Sequence, residues 1–222
     1  LYNIWAEYKA GTDEYAKIQD MVVKEIAPSD EVKKEIVLPD AESEQTWDAP
    51  IEIDFASLQD INEDIAGWIY VEAIPTISYP VVQGEDNDYY LHRTYEKQDN
   101  FAGTLFLDYK NTDQFESPNT IIYGHNMKNG SMFGRLKEFR DQETYDKSPY
   151  IWILTPEGDY KYQIFSAYVA EVDSDTYTLI KGPGNELVDY GERMIGYSSI
   201  ICERPAFEPT DKIITLSTCT GD

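Results

Sequence analysis

The chain has 222 residues, a formal net charge of −24 and 14% aromatic residues. That length allows one large domain or a domain with a tail, and the aromatic content can supply a sizeable core. The acidity opposes nucleic acid and anionic membranes, no basic stripe offsets it, and a solvated surface is its plainest reading. The two cysteines, Cys202 and Cys219, are too few for a disulfide framework and lack zinc-site spacing, although one disulfide between them stays open. No apolar run is long enough to span a membrane, and the first residues lack the basic flank of a signal peptide. The first residue is Leu1 rather than Met, so a fragment or a processed form is expected.

In chain order, Ile4, Tyr8, Tyr15, Ile18, Val22 and Ile26 form an approximate helical stripe over 1–27, with Gly11 and Thr12 as a break point. Residues 28–50 are polar and Pro-bearing and read as a linker, in which Ser29 could cap a short helix over Val32–Val37. This places a helical segment and linker at 1–50 and a second domain at 51–222. Ile51 to Phe55 alternates, and a short helix follows over Phe55–Asn62 with Phe55, Leu58 and Ile61 on one face. Strands are expected at 67–71, 77–83, 102–108, 119–123, 150–154, 160–172 and 212–219. Pro80 implies an edge or a bulge. Asp86 opens one or two helical turns to His92, Ser131–Arg140 reads as a short helix with Met132, Leu136 and Phe139 inward, and Leu187–Ile201 as another. Many short strands with few helices point to a mostly β, barrel-like domain.

Two strand ends carry the chemistry. The apolar run Ile213-Ile214-Thr215-Leu216-Ser217-Thr218 delivers Cys219, and Ile121-Ile122-Tyr123-Gly124 delivers His125. A thiol held at a sheet rim needs a base or a cationic neighbour to become a nucleophile, and an imidazole at a strand end suits acid–base work. A buried structural thiol is the competing reading for a lone cysteine, and Cys202 in its Ile-Ile-Cys run fits it better. His92 reads as a surface histidine. No GxSxG elbow, P-loop or dinucleotide fingerprint occurs. Asp86 and Asp88 read as a helix start rather than a metal site, so no metal and no cofactor is expected.

Thr215-Leu216-Ser217-Thr218-Cys219 resembles the TLxTC signature of sortases, the cysteine transpeptidases of Gram-positive cell surfaces. Tyr123-Gly124-His125-Asn126-Met127 with Gly130-Ser131-Met132-Phe133-Gly134 resembles the class B histidine motif. Tyr79 to Gln83 with Asp86 to Leu91 is similar to class B as well, and Gly103 to Asp108 matches the strand that runs to Asp in the family. The resemblance spans about Gly67 to the end, and the helical amino-terminal stretch also fits class B.

The resemblance implies an eight-stranded β-barrel preceded by helices, with a membrane anchor upstream and a location on the extracellular face of the membrane. Cys219 would attack the Thr–X bond of an NPxTx-type sorting signal on a surface protein, and His125 would protonate the leaving amine. The resulting thioester would pass to a peptidoglycan amine; the alternatives are a pilin lysine, in a pilin polymerase, or an inactive peptide-binding domain on the same barrel. Asn87 and Leu91 match class B positions that contact the sorting peptide, and Ser217 and Thr218 line the floor. The family also carries an arginine on the strand after the cysteine. Arg93, Arg135, Arg140, Arg193 and Arg204 do not match it, so the native sequence is expected to continue for one more strand bearing that arginine.

Overall fold

The first helix, α1 (Tyr2–Val22), is built by its apolar spacing, and it runs through Gly11 and Thr12 without a break. The Thr12 hydroxyl donates to the Tyr8 carbonyl at 2.8 Å, which satisfies it inside the helix. A Cβ on Gly11 would stand 3.3 Å from the Asn100 side chain, so glycine there permits a close approach to the barrel. The computed structural model describes residues 2–26 and 48–218; the linker and the short helix over Val32–Val37 lie outside the described residues, as does Cys219. Tyr15, Ile18 and Val22 are buried in the main core, whereas Ile26 is exposed. The helix ends at Val22 because the chain turns into β1 (Val23–Glu25), which pairs antiparallel with β2 (Ile51–Ile53). No helix among the described residues is long and apolar enough to cross a membrane.

Asp54 caps α2 (Phe55–Ile61) by accepting from the Ser57 N–H at 3.1 Å. Only Leu58 of the predicted stripe is fully buried; Phe55 is half-buried and Ile61 is exposed. Among the described residues seven strands follow: β3 (Ile65–Val71), β4 (Ser78–Val82), β5 (Leu105–Leu107), β6 (Asn119–Tyr123), β7 (Tyr150–Thr155), β8 (Gly158–Gln163) and β9 (Ile213–Ser217). They form one sheet in the order β8-β7-β3-β4-β5-β6-β9, curled into a nearly closed barrel. The β4–β5 and β6–β9 pairs are parallel and the rest antiparallel. Trp68, Ile69, Val81, Leu105, Ile122 and Ile153 fill the interior with no exposed surface. Burial of each such side chain is worth about 1.5–3 kcal/mol.

The chain departs from its sequence pattern in several places. Pro80 lies in an interior strand rather than at a sheet edge; the bulge, the other expectation, stands beside it, where the β3–β4 register shifts between Ile65 and Gly67, next to its partner Trp68. The proline is tolerated because β5 pairs only with Val81 and Val82, so at Pro80 the strand has β3 as its single neighbour. The 131–140 helix is only a 3₁₀ turn at Leu136–Arg140, followed by α3 (Gln142–Lys147); Met132 is buried ahead of it at φ +53°. Strand pairing ends at Gln163, short of the expected 172, with one further backbone bond from the Ile164 N–H to the Pro149 carbonyl at 2.7 Å. Helix α4 (Asn185–Tyr197) buries Leu187, Tyr190 and Met194 against Ile213 at the foot of β9.

Candidate active site

The site is assembled where β6 and β9 end side by side. Their parallel register runs from Asn119 opposite Ile213 to Tyr123 opposite Ser217, and the Gly124 N–H continues it by donating to the Ser217 carbonyl at 3.0 Å. β-Branched residues at Ile121, Ile122, Ile213, Ile214 and Thr215 favour this extended pairing. Gly124 is required by space: a Cβ there would stand 2.3 Å from Leu105 Cδ2 and 2.7 Å from the Phe133 ring. Directly after it comes His125.

The His125 loop is fastened on both sides. The Phe133 N–H donates to the His125 carbonyl at 3.0 Å, and Asn126 bridges to Met132. Tyr79 anchors the returning arm by accepting from the Met132 N–H at 3.3 Å. The half-buried imidazole donates from Nε2 to the Leu91 carbonyl at 2.7 Å. A carbonyl only accepts, so Nε2 carries a proton and Nδ1 is the ring nitrogen left for proton transfer. Exposed His92 lies alongside, with ring centroids 6.3 Å apart.

A second group of side chains forms the neighbouring wall. Tyr123 Oη donates to Asp108 Oδ2 at 3.1 Å, and Asn87 Nδ2 donates to the same oxygen at 3.0 Å. Burial first, and then Asp108, holds the Tyr123 phenol above its ordinary range. The Tyr177 ring stacks on Tyr123 at 6.4 Å, and its hydroxyl lies 3.2 Å from Ser217 Oγ. A cavity of about 1570 Å³ opens here between β8 and β9, lined by Tyr123, Asn126, Tyr177, Leu216, Ser217 and Thr218 among others. The Thr218 hydroxyl is buried there without a hydrogen-bond partner among the described residues. A smaller cavity of about 540 Å³ lies elsewhere, against Ile51, Ile53, Phe55 and Leu154, and gathers none of these polar groups.

Of the residues singled out in the sequence, His125, Leu91, Ser217 and Thr218 gather at this end of the barrel. Ser217 and Thr218 line the cavity; Leu91 touches His125 through its backbone, and Asn87 joins through Asp108. Cys219 follows Thr218 in sequence and lies outside the described residues. Cys202 is a half-buried free thiol whose pKa is raised by burial, with Ser198 Oγ at 3.9 Å. Tyr177 and the linking role of Asp108 had no signal in the sequence beyond the position of Asp108 at a strand end. Among the described residues, no group of three or more His, Cys, Asp or Glu is placed to hold a metal ion.

A strand-end histidine beside a TLxTC strand, on a nearly closed mixed barrel, defines a sortase-type domain. The Sortase domain family matches residues 69–222. The chain is 36% identical to sortase B of Listeria monocytogenes over 193 residues, covering 82% of this chain and 76% of that protein. It is 34% identical to sortase B of Staphylococcus aureus over 167 residues, covering 74% and 67%. A crystal structure of Bacillus anthracis sortase B in complex with AAEK1 superposes with a TM-score of 0.71 at 30% identity, covering 98% of this chain and 93% of that one. The chain therefore belongs to the sortase family, in its class B. It is accordingly an enzyme of a family of transpeptidases whose substrates are surface proteins.

Proposed function

We propose that this protein is a membrane-anchored cysteine transpeptidase on the extracellular face of the cell membrane. In this reading it cleaves a Thr–X bond in an NPxTx-type sorting signal and joins the surface protein to a cell-wall amine. The observation that carries the reading is the parallel register of β6 and β9. His125 is two residues beyond Tyr123 and Cys219 is two residues beyond Ser217, and Tyr123 and Ser217 are partners.

The Cys219 thiolate attacks the threonine carbonyl, and the C–N bond breaks as the His125 imidazolium gives its proton to the leaving amine. A thioester and a neutral His125 remain. The acceptor amine then attacks the thioester, His125 takes its proton, and the C–S bond breaks to return the thiolate. The Nε2 hydrogen bond to Leu91 leaves Nδ1 for both transfers. Ser217 and Thr218 form the floor under the peptide, and Asn87 and Leu91 hold it.

The test is incubation of the protein with an NPxTx peptide and a peptidoglycan-type amine, with product identified by mass. Cleavage and amide formation that vanish in Cys219→Ala and His125→Ala but persist in Cys202→Ala support the reading. Cleavage that survives Cys219→Ala would overturn it. Transfer only to a pilin-derived lysine would replace the cell-wall acceptor with a pilus one, and peptide binding without turnover would favour a binding domain.

A further inference from the structure

Asp108 is the one carboxylate to which both Asn87 and Tyr123 donate. It stands immediately after β5 and only 6% of its surface is exposed. Its Oδ2 accepts from Asn87 Nδ2 at 3.0 Å and from Tyr123 Oη at 3.1 Å, while Oδ1 accepts from the Lys110 N–H at 2.9 Å. Its own backbone is fixed from both directions: its N–H donates to Ile121, and its carbonyl accepts from Asn111 at 2.9 Å and from Gln83 Nε2 at 3.3 Å. No cationic side chain pairs with it in a salt bridge among the described residues. Three donors converge on this one buried carboxyl group, two on Oδ2 and one on Oδ1, and fix its orientation.

The far end of the network also matters. Asn87 Oδ1 accepts from the Tyr109 N–H at 3.0 Å, so both ends of the Asn87 amide are tied to the turn that follows β5. Tyr123 carries the stacked Tyr177 and precedes Gly124-His125. Asn87 and Tyr123 belong to different parts of the chain, and Asp108 supplies the bond that connects them.

We infer that Asp108 is a positioning residue that sets the Asn87 amide and the Tyr123 ring as a single wall for the sorting peptide. The inference rests on the proposed function, in which Asn87 holds that peptide. Asp108 makes no contact with reacting atoms in this scheme; it acts through the two side chains it binds. Its effect belongs to peptide binding, and so to KM more than to kcat.

The experiment uses the full-length protein and a fluorogenic NPxTx peptide. Asp108→Ala is expected to raise KM about tenfold with little change in kcat. Asp108→Asn, whose amide oxygen can still accept from both donors, is expected to return KM to within about threefold of the parent. Added to Asn87→Ala, the Asp108→Ala change is expected to raise KM by less than about twofold more. If Asp108→Ala does not fold, the pair Asn87→Ala and Tyr123→Phe carries the test. Their effects on KM should fall short of multiplying by at least about threefold, because the two side chains meet at Asp108. Independent multiplying effects, or an Asp108→Ala variant with unchanged KM, would overturn the inference. A parent protein that neither cleaves nor binds the peptide defeats the proposed function itself and this inference with it, whereas intact turnover with multiplying effects defeats this inference alone.

Discussion

His125 Nε2 and the Leu91 carbonyl oxygen are 2.7 Å apart, although the two residues are separated by 34 positions in sequence. The bond fixes the ring and its tautomer from the backbone, which no side-chain substitution at Leu91 removes. His125→Ala and His125→Gln should therefore both lose catalysis, by about 10²–10⁴-fold in kcat/KM. The imidazole is half-buried and makes one hydrogen bond among the described residues, so melting temperatures should stay close to the parent. Steady-state kinetics beside a thermal melt check both halves.

Gly124 tests how tightly that histidine is held. A methyl group there would meet Leu105 Cδ2 at 2.3 Å and Phe133 Cδ2 at 2.7 Å, both in the packed interior. Gly124→Ala should destabilise the fold by about 1–3 kcal/mol through overpacking. Because His125 is the next residue, kcat/KM should fall as well. Denaturant unfolding and peptide cleavage on the same preparation check the two effects. A stable, fully active Gly124→Ala variant would refute this account of the glycine.

The docking of α1 is testable at Ile18, which is 1% exposed and packs into the barrel core. Ile18→Ala should cost about 2–5 kcal/mol in unfolding free energy, the range for deleting a buried aliphatic side chain. Tyr15→Phe should cost about 0.5–1.5 kcal/mol, because its hydroxyl bonds the Gly103 carbonyl at 2.6 Å and Thr104 Oγ1 at 3.1 Å. Urea melts should show a single transition in each case, shifted to lower denaturant.

Glu14 gives a pH-dependent stability. Desolvation raises its carboxyl pKa; Thr94, Lys17 and the Glu96 backbone N–H oppose the rise, while the Glu96 charge adds to it. A carboxyl with a raised folded pKa contributes stability below its unfolded value, and loses that contribution as pH rises through the folded value. Glu14→Gln should therefore melt higher than the parent at neutral pH, with the difference closing as pH falls toward about 4. Paired thermal melts from pH 4 to pH 8 measure it. A difference that grows on acidification would show the opposite sign and defeat the argument.

Cys202 should behave as an inert thiol. Burial raises its pKa, so little thiolate is present near neutrality. Cys202→Ala should keep kcat/KM within about twofold of the parent, while native-state alkylation at Cys202 should be at least about tenfold slower than in denaturant. Mass spectrometry of timed samples separates the two cysteines.

The amino-acid sequence by itself determined the elements whose signals are local. The apolar stripe from Phe55 marks α2, the β-branched runs mark β6 and β9, and TLxTC with YGHNM marks the chemistry and the family. Other outcomes depended on neighbours. The Gly11-Thr12 pair stays helical where Gly11 packs against Asn100 and where Tyr15 and Ile18, further along the helix, bury in the core. Pro80 sits inside the sheet because β5 is too short to reach it. Periodicity assigns a residue to a face of its element but does not say which strand lies alongside. Only the tertiary structure could bring β6 beside β9 in parallel, set the Leu91 carbonyl against His125, and point Asn87 and Tyr123 at one oxygen of Asp108. Those contacts join segments far apart in the chain, and each forms only after the barrel has paid the entropy of bringing them together.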